Sequence, residues 1–165
     1  LSVNNLDAIK TKLAALNIQA QGPFVEMPDG VRVELLEDKA QTSPVVMHHI
    51  HLAAANGEML RQWYVKTFGA AAGSRRNLPA ATFNGNEVDF LLATGAAAPA
   101  PNKGRALDHI GFEVKGLEAF CKRLEAEGVP FDVPFRDVPR VGLKIAFVVD
   151  PAGTRIELTE GLAGR

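Results

Sequence analysis

The chain says nearly the same thing more than once, and each repeat carries ionisable residues in the same register. Leu107-Asp108-His109-Ile110-Gly111-Phe112 echoes Met47-His48-His49-Ile50-His51-Leu52. Asp150-Pro151-Ala152-Gly153-Thr154-Arg155-Ile156-Glu157-Leu158 echoes Met27-Pro28-Asp29-Gly30-Val31-Arg32-Val33-Glu34-Leu35, and Gly85-Asn86-Glu87-Val88-Asp89-Phe90 is a fainter third copy. Histidine recurs where a unit opens and a carboxylate where it closes. A chain of this kind is built from duplicated modules, and the recurring polar positions are candidates for a metal site.

The last unit is the clearest. Residues 107–114 read as a strand and 116–127 as a helix, with Leu117, Phe120, Cys121 and Leu124 at i, i+3, i+4 and i+7. Gly128 is a helix stop. Strands are expected near 130–137, 142–149 and 154–160, with Pro151-Ala152-Gly153 turning between the last two. The order is strand, helix, strand, strand, strand. The middle unit repeats it: a strand near 46–54, a helix near 58–68 with Leu60, Trp63, Tyr64 and Phe68 on one face, and three short strands between 71 and 94. Residues 94–105, rich in Ala, Pro and Gly, read as a linker.

The first unit is shorter. Its helix near 5–16 carries Leu6, Ile9, Leu13 and Leu16 on one side. On the repeat register Leu1 falls mid-strand, three residues after the position of His49 and His109. The expectation is a partial module over 1–38 whose first strand continues upstream of Leu1, where any signal segment would also lie. Full modules are expected over 45–94 and 106–162, together one domain over 45–162. The fold class expected is α+β.

Formal net charge is -1. No basic field points to nucleic acid, no polybasic run to a membrane surface, and no apolar run reaches the ~18 residues of a spanning helix. The single cysteine, Cys121, completes the helical apolar stripe and is expected to pack rather than react. A chain that can form no internal disulfide fits a reducing compartment, and a cytoplasmic location is expected.

Side chains alternate across a strand. Ile110, Phe112 and Val114 share one face, and His109, Gly111 and Glu113 the other. Ile156 and Leu158 oppose Arg155, Glu157 and Thr159; Ile50 and Leu52 oppose His49 and His51; Val88 and Phe90 oppose Glu87 and Asp89. In each case the apolar face can pack on its unit's helix while the other carries histidine or carboxylate. His49, His109 and Glu157 are therefore candidate ligands for divalent iron, manganese, nickel or zinc, and Asp89, at the position equivalent to Glu157, is a candidate fourth. Glu157 and His51 are the candidate acid/base residues. His48 is expected to point away, and Glu34 is read as a vestigial or surface carboxylate beside Arg32.

Paired strand-helix-strand-strand-strand units, a His-Ile in the first strand and the Asp-Pro-x-Gly-x-x-Ile-Glu-Leu ending at 150–158 resemble the vicinal oxygen chelate superfamily, which includes glyoxalase I, bleomycin-resistance proteins and extradiol dioxygenases. The resemblance implies paired modules forming a cupped, barrel-like mixed sheet with helices outside and a divalent metal within. A glyoxalase pattern carries onto His49, Asp89, His109 and Glu157, with Asp where that pattern has Glu at 89; an extradiol pattern carries onto His49, His109 and Glu157. It implies a metal-dependent lyase or isomerase acting on a small molecule. The alternatives are a ferrous dioxygenase, for which a full acid/base set is lacking, and a binding protein without catalysis. Arg75, Arg76, Arg140 and Lys144 are available to anchor an anionic substrate such as a glutathione adduct. Pairing of an exposed sheet edge would make a homodimer.

Overall fold

A computed structural model of the chain describes residues 1–93 and 99–162, so 94–98 of the expected linker lie outside the described residues. The class is α+β, with three α-helices and four small sheets among the described residues and no closed barrel. The chain divides into two compact units, Leu1–Ile50 with Asn84–Glu87, and His51–Phe83 with Val88–Arg165. None of the described helices is long and apolar enough to cross a membrane.

In the first unit, β1 (Ser2–Val3) leads into α1 (Leu6–Ala15), then β2 (Ala20–Gln21), β3 (Phe24–Glu26), β4 (Arg32–Glu34), β5 (Leu36–Glu37) and β6 (Val45–Val46). Asn5 caps α1 by accepting the Ala8 amide at 2.9 Å. Val3, Val25 and Leu35 are buried, with Leu6, Ile9 and Leu13 of α1 packed against them. Leu16, expected on the same stripe, is 69% exposed because the helix ends at Ala15 and Leu16 is its C-cap. Strands β1 and β5 pair in parallel with Ser2 opposite Leu36, while in the last repeat Glu113 stands opposite Thr159. On the repeat alignment these are equivalent positions, so the same register governs both.

The following strand, β7 (His49–Ala54), precedes α2 (Gly57–Phe68), β8 (Ala71–Arg75), β9 (Leu78–Phe83) and β10 (Asn86–Leu92), in a sheet of order β7-β10-β9-β8. The last repeat has β11 (Ile110–Glu113), α3 (Leu117–Ala126), β12 (Phe131–Val138), β13 (Leu143–Val149) and β14 (Arg155–Glu160), ordered β11-β14-β13-β12. In both, the first and last strands of the repeat are neighbours. A single 3-10 turn, Pro139–Val141, joins β12 to β13.

One apolar cluster of the second unit takes in both helices. It buries Leu60 and Tyr64 of α2, Leu117, Cys121 and Leu124 of α3, and Val88, Phe90, Ala146, Val148, Ile156 and Leu158 of the strands. Each fully buried large apolar side chain contributes roughly 1.5–3 kcal/mol. Trp63, Phe68 and Phe120 pack against the cluster, as their helical spacing predicts. Burial lifts the Cys121 thiol to about 11, helped by the charge of Glu125, so the expected packing role stands. The helices are closed from both ends. Asn56 accepts the Met59 amide and Gly69 takes the left-handed conformation after α2. Glu160 of β14 accepts the Gly116 and Leu117 amides at the start of α3, at 2.9 and 3.3 Å.

The Asp-Pro-x-Gly motif finds its reason here. Asp150 Oδ1 accepts the amides of Ala152 and Thr154, both at 2.8 Å, and its Oδ2 accepts the Tyr64 hydroxyl at 2.9 Å. The Asp-Pro-x-Gly turn thus needs its aspartate to hold the hairpin and to satisfy a tyrosine buried in the core. Gly57 is required for another reason: a Cβ there would lie 2.9 Å from the Phe90 carbonyl oxygen.

Tyr64→Phe should cost about 1.5–3 kcal/mol in denaturant unfolding, the range for a hydrogen bond to a charged group. Burial, then the Asp150 charge, raises the Tyr64 hydroxyl well above its ordinary 10.0. A raised folded value means stability that is complete below pH 10 and lost as pH rises beyond it. Tyr64 is the sole tyrosine, so tyrosinate absorbance in an alkaline titration should appear only together with unfolding. A reversible tyrosinate transition near pH 10 in folded protein would show the hydroxyl to be exposed.

Candidate metal centre

Parallel pairing of β11 and β14 places Gly111 opposite Glu157. His109, immediately before β11, lies on the same side as Gly111, and its Nε2 is 3.3 Å from Glu157 Oε2. Both side chains are accessible, at 37% and 28%. Gly111 keeps the floor low: a Cβ there would come no nearer than 3.9 Å to Glu157 Oε2. The other ring nitrogen of His109, Nδ1, is 2.8 Å from Asp108 Oδ1.

Asp108 is itself tied down. It accepts the Gly104 amide on Oδ2 and Nη1 of Arg155 on Oδ1, the latter at 2.6 Å. The Gly104 amide, His109 and Arg155, in that order, hold its carboxyl well below the usual carboxylate range. Arg155 also donates from Nε to Asp132 Oδ2 at 2.7 Å and lies 3.9 Å above the Phe147 ring. Phe147 meets His109 edge-on at 5.4 Å between centroids. Lys103 and then Arg155 lower the Asp132 carboxyl. The result is a closed loop of contacts, His109 to Asp108 to Arg155 to Phe147 and back. Unlike Asp108 and Asp132, which both receive Arg155, Glu157 has no Lys or Arg partner among the described residues.

A second imidazole–carboxylate pair belongs to the preceding repeat. His51 Nε2 is 3.5 Å from Asp89 Oδ2, and Arg75 Nε donates to that same oxygen at 2.7 Å. Asp89 is fully buried, Arg75 and His51 partly so. Arg75 thus spends its charge on Asp89, and Lys144 on Glu160 at 2.9 Å, so both of these expected substrate anchors are engaged within the protein.

The first unit holds a third pair, which the sequence reading missed. His49 Nε2 is 3.0 Å from Glu34 Oε2 and both side chains are buried, at 2% and 6%. Glu34 is therefore no surface carboxylate beside Arg32. Its register match to Glu157 was the signal; the partner histidine comes from the next repeat rather than from its own. His48, expected to point away, has Nδ1 2.9 Å from His49 Nδ1. His49 and His51 alternate to the same side of β7, and Glu34, His49 and His51 are all residue types that ligate divalent metals. Of the expected ligands, His109 and Glu157 meet directly, Asp89 meets His51, and His49 meets Glu34.

Structures similar to this one share its fold. A glyoxalase/bleomycin resistance protein/dioxygenase from Alicyclobacillus acidocaldarius matches with TM-score 0.54 and 16% identity, over 74% of this chain and 96% of that one. TioX from Micromonospora sp. ML1 matches with TM-score 0.57 and 20% identity, over 72% and 100%. Oxidase ChaP-H2 matches with TM-score 0.57 and 19% identity, over 73% and 96%. Comparison with functionally curated proteins gives no sequence match. A family model covers residues 46–158, the span that runs from before β7 into β14, and by that match the chain belongs to the Glyoxalase/Bleomycin resistance protein/Dioxygenase superfamily.

Proposed function

We propose that the chain is a metal-dependent enzyme of glyoxalase type, acting on a small molecule with vicinal oxygens, with His109 and Glu157 as metal ligands. The observation that carries this reading is their pairing at 3.3 Å, with the far ring nitrogen of His109 held by Asp108. The donor chemistry fits a divalent ion. One imidazole nitrogen and one carboxylate oxygen, both accessible, lie side by side, and among the described residues no Lys or Arg neutralises the carboxylate. A divalent ion held there would act as a Lewis acid on the substrate's oxygens.

The chain's own residues supply the rest. Glu157 is the base that takes a proton from the carbon beside the substrate carbonyl, and its accessibility gives it room to do so. His51, against Asp89, is the second acid/base group. Phe147 and the absent side chain at Gly111 leave a low, partly apolar wall beside the pair. Asp89 is the less committed ligand, because its Oδ2 already receives Arg75.

Elemental analysis of protein purified without chelator or affinity-column metal tests the reading. Near-stoichiometric zinc, nickel or manganese is expected, absent from the double variant His109→Ala with Glu157→Ala. Zinc, nickel or manganese would direct assays to isomerisation of thiohemiacetals. Iron would direct them to oxygen uptake with catechols, favouring a dioxygenase. No metal after reconstitution would overturn both and leave a small-molecule binding protein.

Glu157→Gln should cut turnover by about 10²-fold or more, as loss of a general base does. Asp89→Asn should weaken metal binding less than Glu157→Gln does, because Oδ2 of Asp89 already receives Arg75. Equal losses in a metal titration would instead place Asp89 among the ligands.

A further inference from the structure

We infer that Asp108, clamped by Arg155, is a positioning residue that fixes the proton of His109 on Nδ1 and so turns the lone pair of Nε2 toward Glu157. The inference deepens the metal reading above, from which it takes His109 as a ligand.

Oδ1 of Asp108 receives Nη1 of Arg155 at 2.6 Å, and Oδ2 receives the Gly104 amide. Guanidinium and amide groups only donate, so Asp108 is the acceptor in both. At 2.8 Å from Oδ1, Nδ1 of His109 must then carry the hydrogen. In a neutral ring with Nδ1 protonated, Nε2 is the acceptor and the metal-binding atom. That atom is the one 3.3 Å from Glu157.

Arg155 makes the arrangement rigid. Its Nε is bound to Asp132, its guanidinium lies on the Phe147 ring, and Phe147 meets the edge of His109. The Arg155 amide is itself held by Asn102 Oδ1 at 2.7 Å. The carboxylate cannot swing away from the ring without breaking the guanidinium contact. Arg155 and Glu157 alternate on one face of β14, so a single strand presents both the ligand and the cation that aims the other ligand through Asp108.

The test is the tautomer of His109 in metal-free protein, read by two-bond nitrogen–proton correlation of labelled imidazole at a pH where the ring is neutral, beside zinc titrations. Wild type should show His109 protonated on Nδ1. Asp108→Asn turns one of two accepting oxygens into an amide donor and should shift the proton toward Nε2. Asp108→Ala should lose it and weaken zinc binding about 10–100-fold, the usual cost of removing the group behind a metal-bound histidine. Arg155→Gln should give a mixed tautomer, and unchanged thermal unfolding in Asp108→Asn serves as the folding control. A wild-type ring protonated on Nε2, or a tautomer unchanged in Asp108→Ala, would overturn the inference. The expected tautomer pattern in a protein that binds no zinc would uphold the ring assignment and overturn the metal reading alone.

Discussion

The parallel pairing of β11 with β14 is the constraint from which the rest of the last repeat follows. It joins segments separated by a helix and two strands, and parallel neighbours need such a crossover. What fixes its register is not the polar face. Ile156 and Leu158 are fully buried on the other side, with Ile110 and Phe112 packed against the same cluster. A slip of one residue would turn these apolar side chains to solvent and forfeit several times ~1.5–3 kcal/mol. The contact between His109 and Glu157, both a quarter or more exposed, is worth about 1 kcal/mol or less. The core therefore sets the register, and the ionisable pair is brought together as its consequence.

That order of magnitudes explains what could be read from the sequence. Apolar periodicity is strong in α2, α3, β13 and β14, and those elements fall within a residue or so of their expected limits. The repeat register named His109 and Glu157, because period-2 alternation and duplication locate side chains that a strand presents to one face. It failed where a partner crosses from another segment. Glu34 was matched to the right position and given the wrong surroundings, since no repeat tells which histidine the first repeat will meet. Arg75 was available as a substrate anchor in the sequence because nothing local links it to Asp89. Leu16 followed the stripe into a residue that lies past the last helical turn.

The Asp-Pro-x-Gly motif shows a different kind of legibility. It was recognisable as a turn and as a family signature, but its chemistry was not. Asp150 serves two tasks at once, two hairpin amides on one oxygen and the Tyr64 hydroxyl on the other. A substitution that kept the turn, such as Asn, would still leave a buried hydroxyl with a weaker acceptor. The aspartate thus ties α2 of one repeat to the last hairpin of the next, which is why the turn residue is an acid rather than any good turn former.

Three imidazole–carboxylate pairs recur, and their surroundings separate them chemically. In the His49 and Glu34 pair both groups are buried, so a ligand would have to displace a contact already sheltered from water. In the His51 and Asp89 pair the carboxylate also receives Arg75, whose charge opposes a second cation on the same oxygen. At His109 and Glu157 the positive charge of Arg155 is directed elsewhere. It lies between Asp108 and Asp132, and Lys103 adds a further cation on Asp132. Those two acids and two bases balance locally, and among the described residues Glu157 beside them receives no Lys or Arg. A cation gains most where the negative charge is accessible and uncompensated. That criterion is the ground for proposing the pair in the last repeat, rather than either of the other two, as the divalent-ion site.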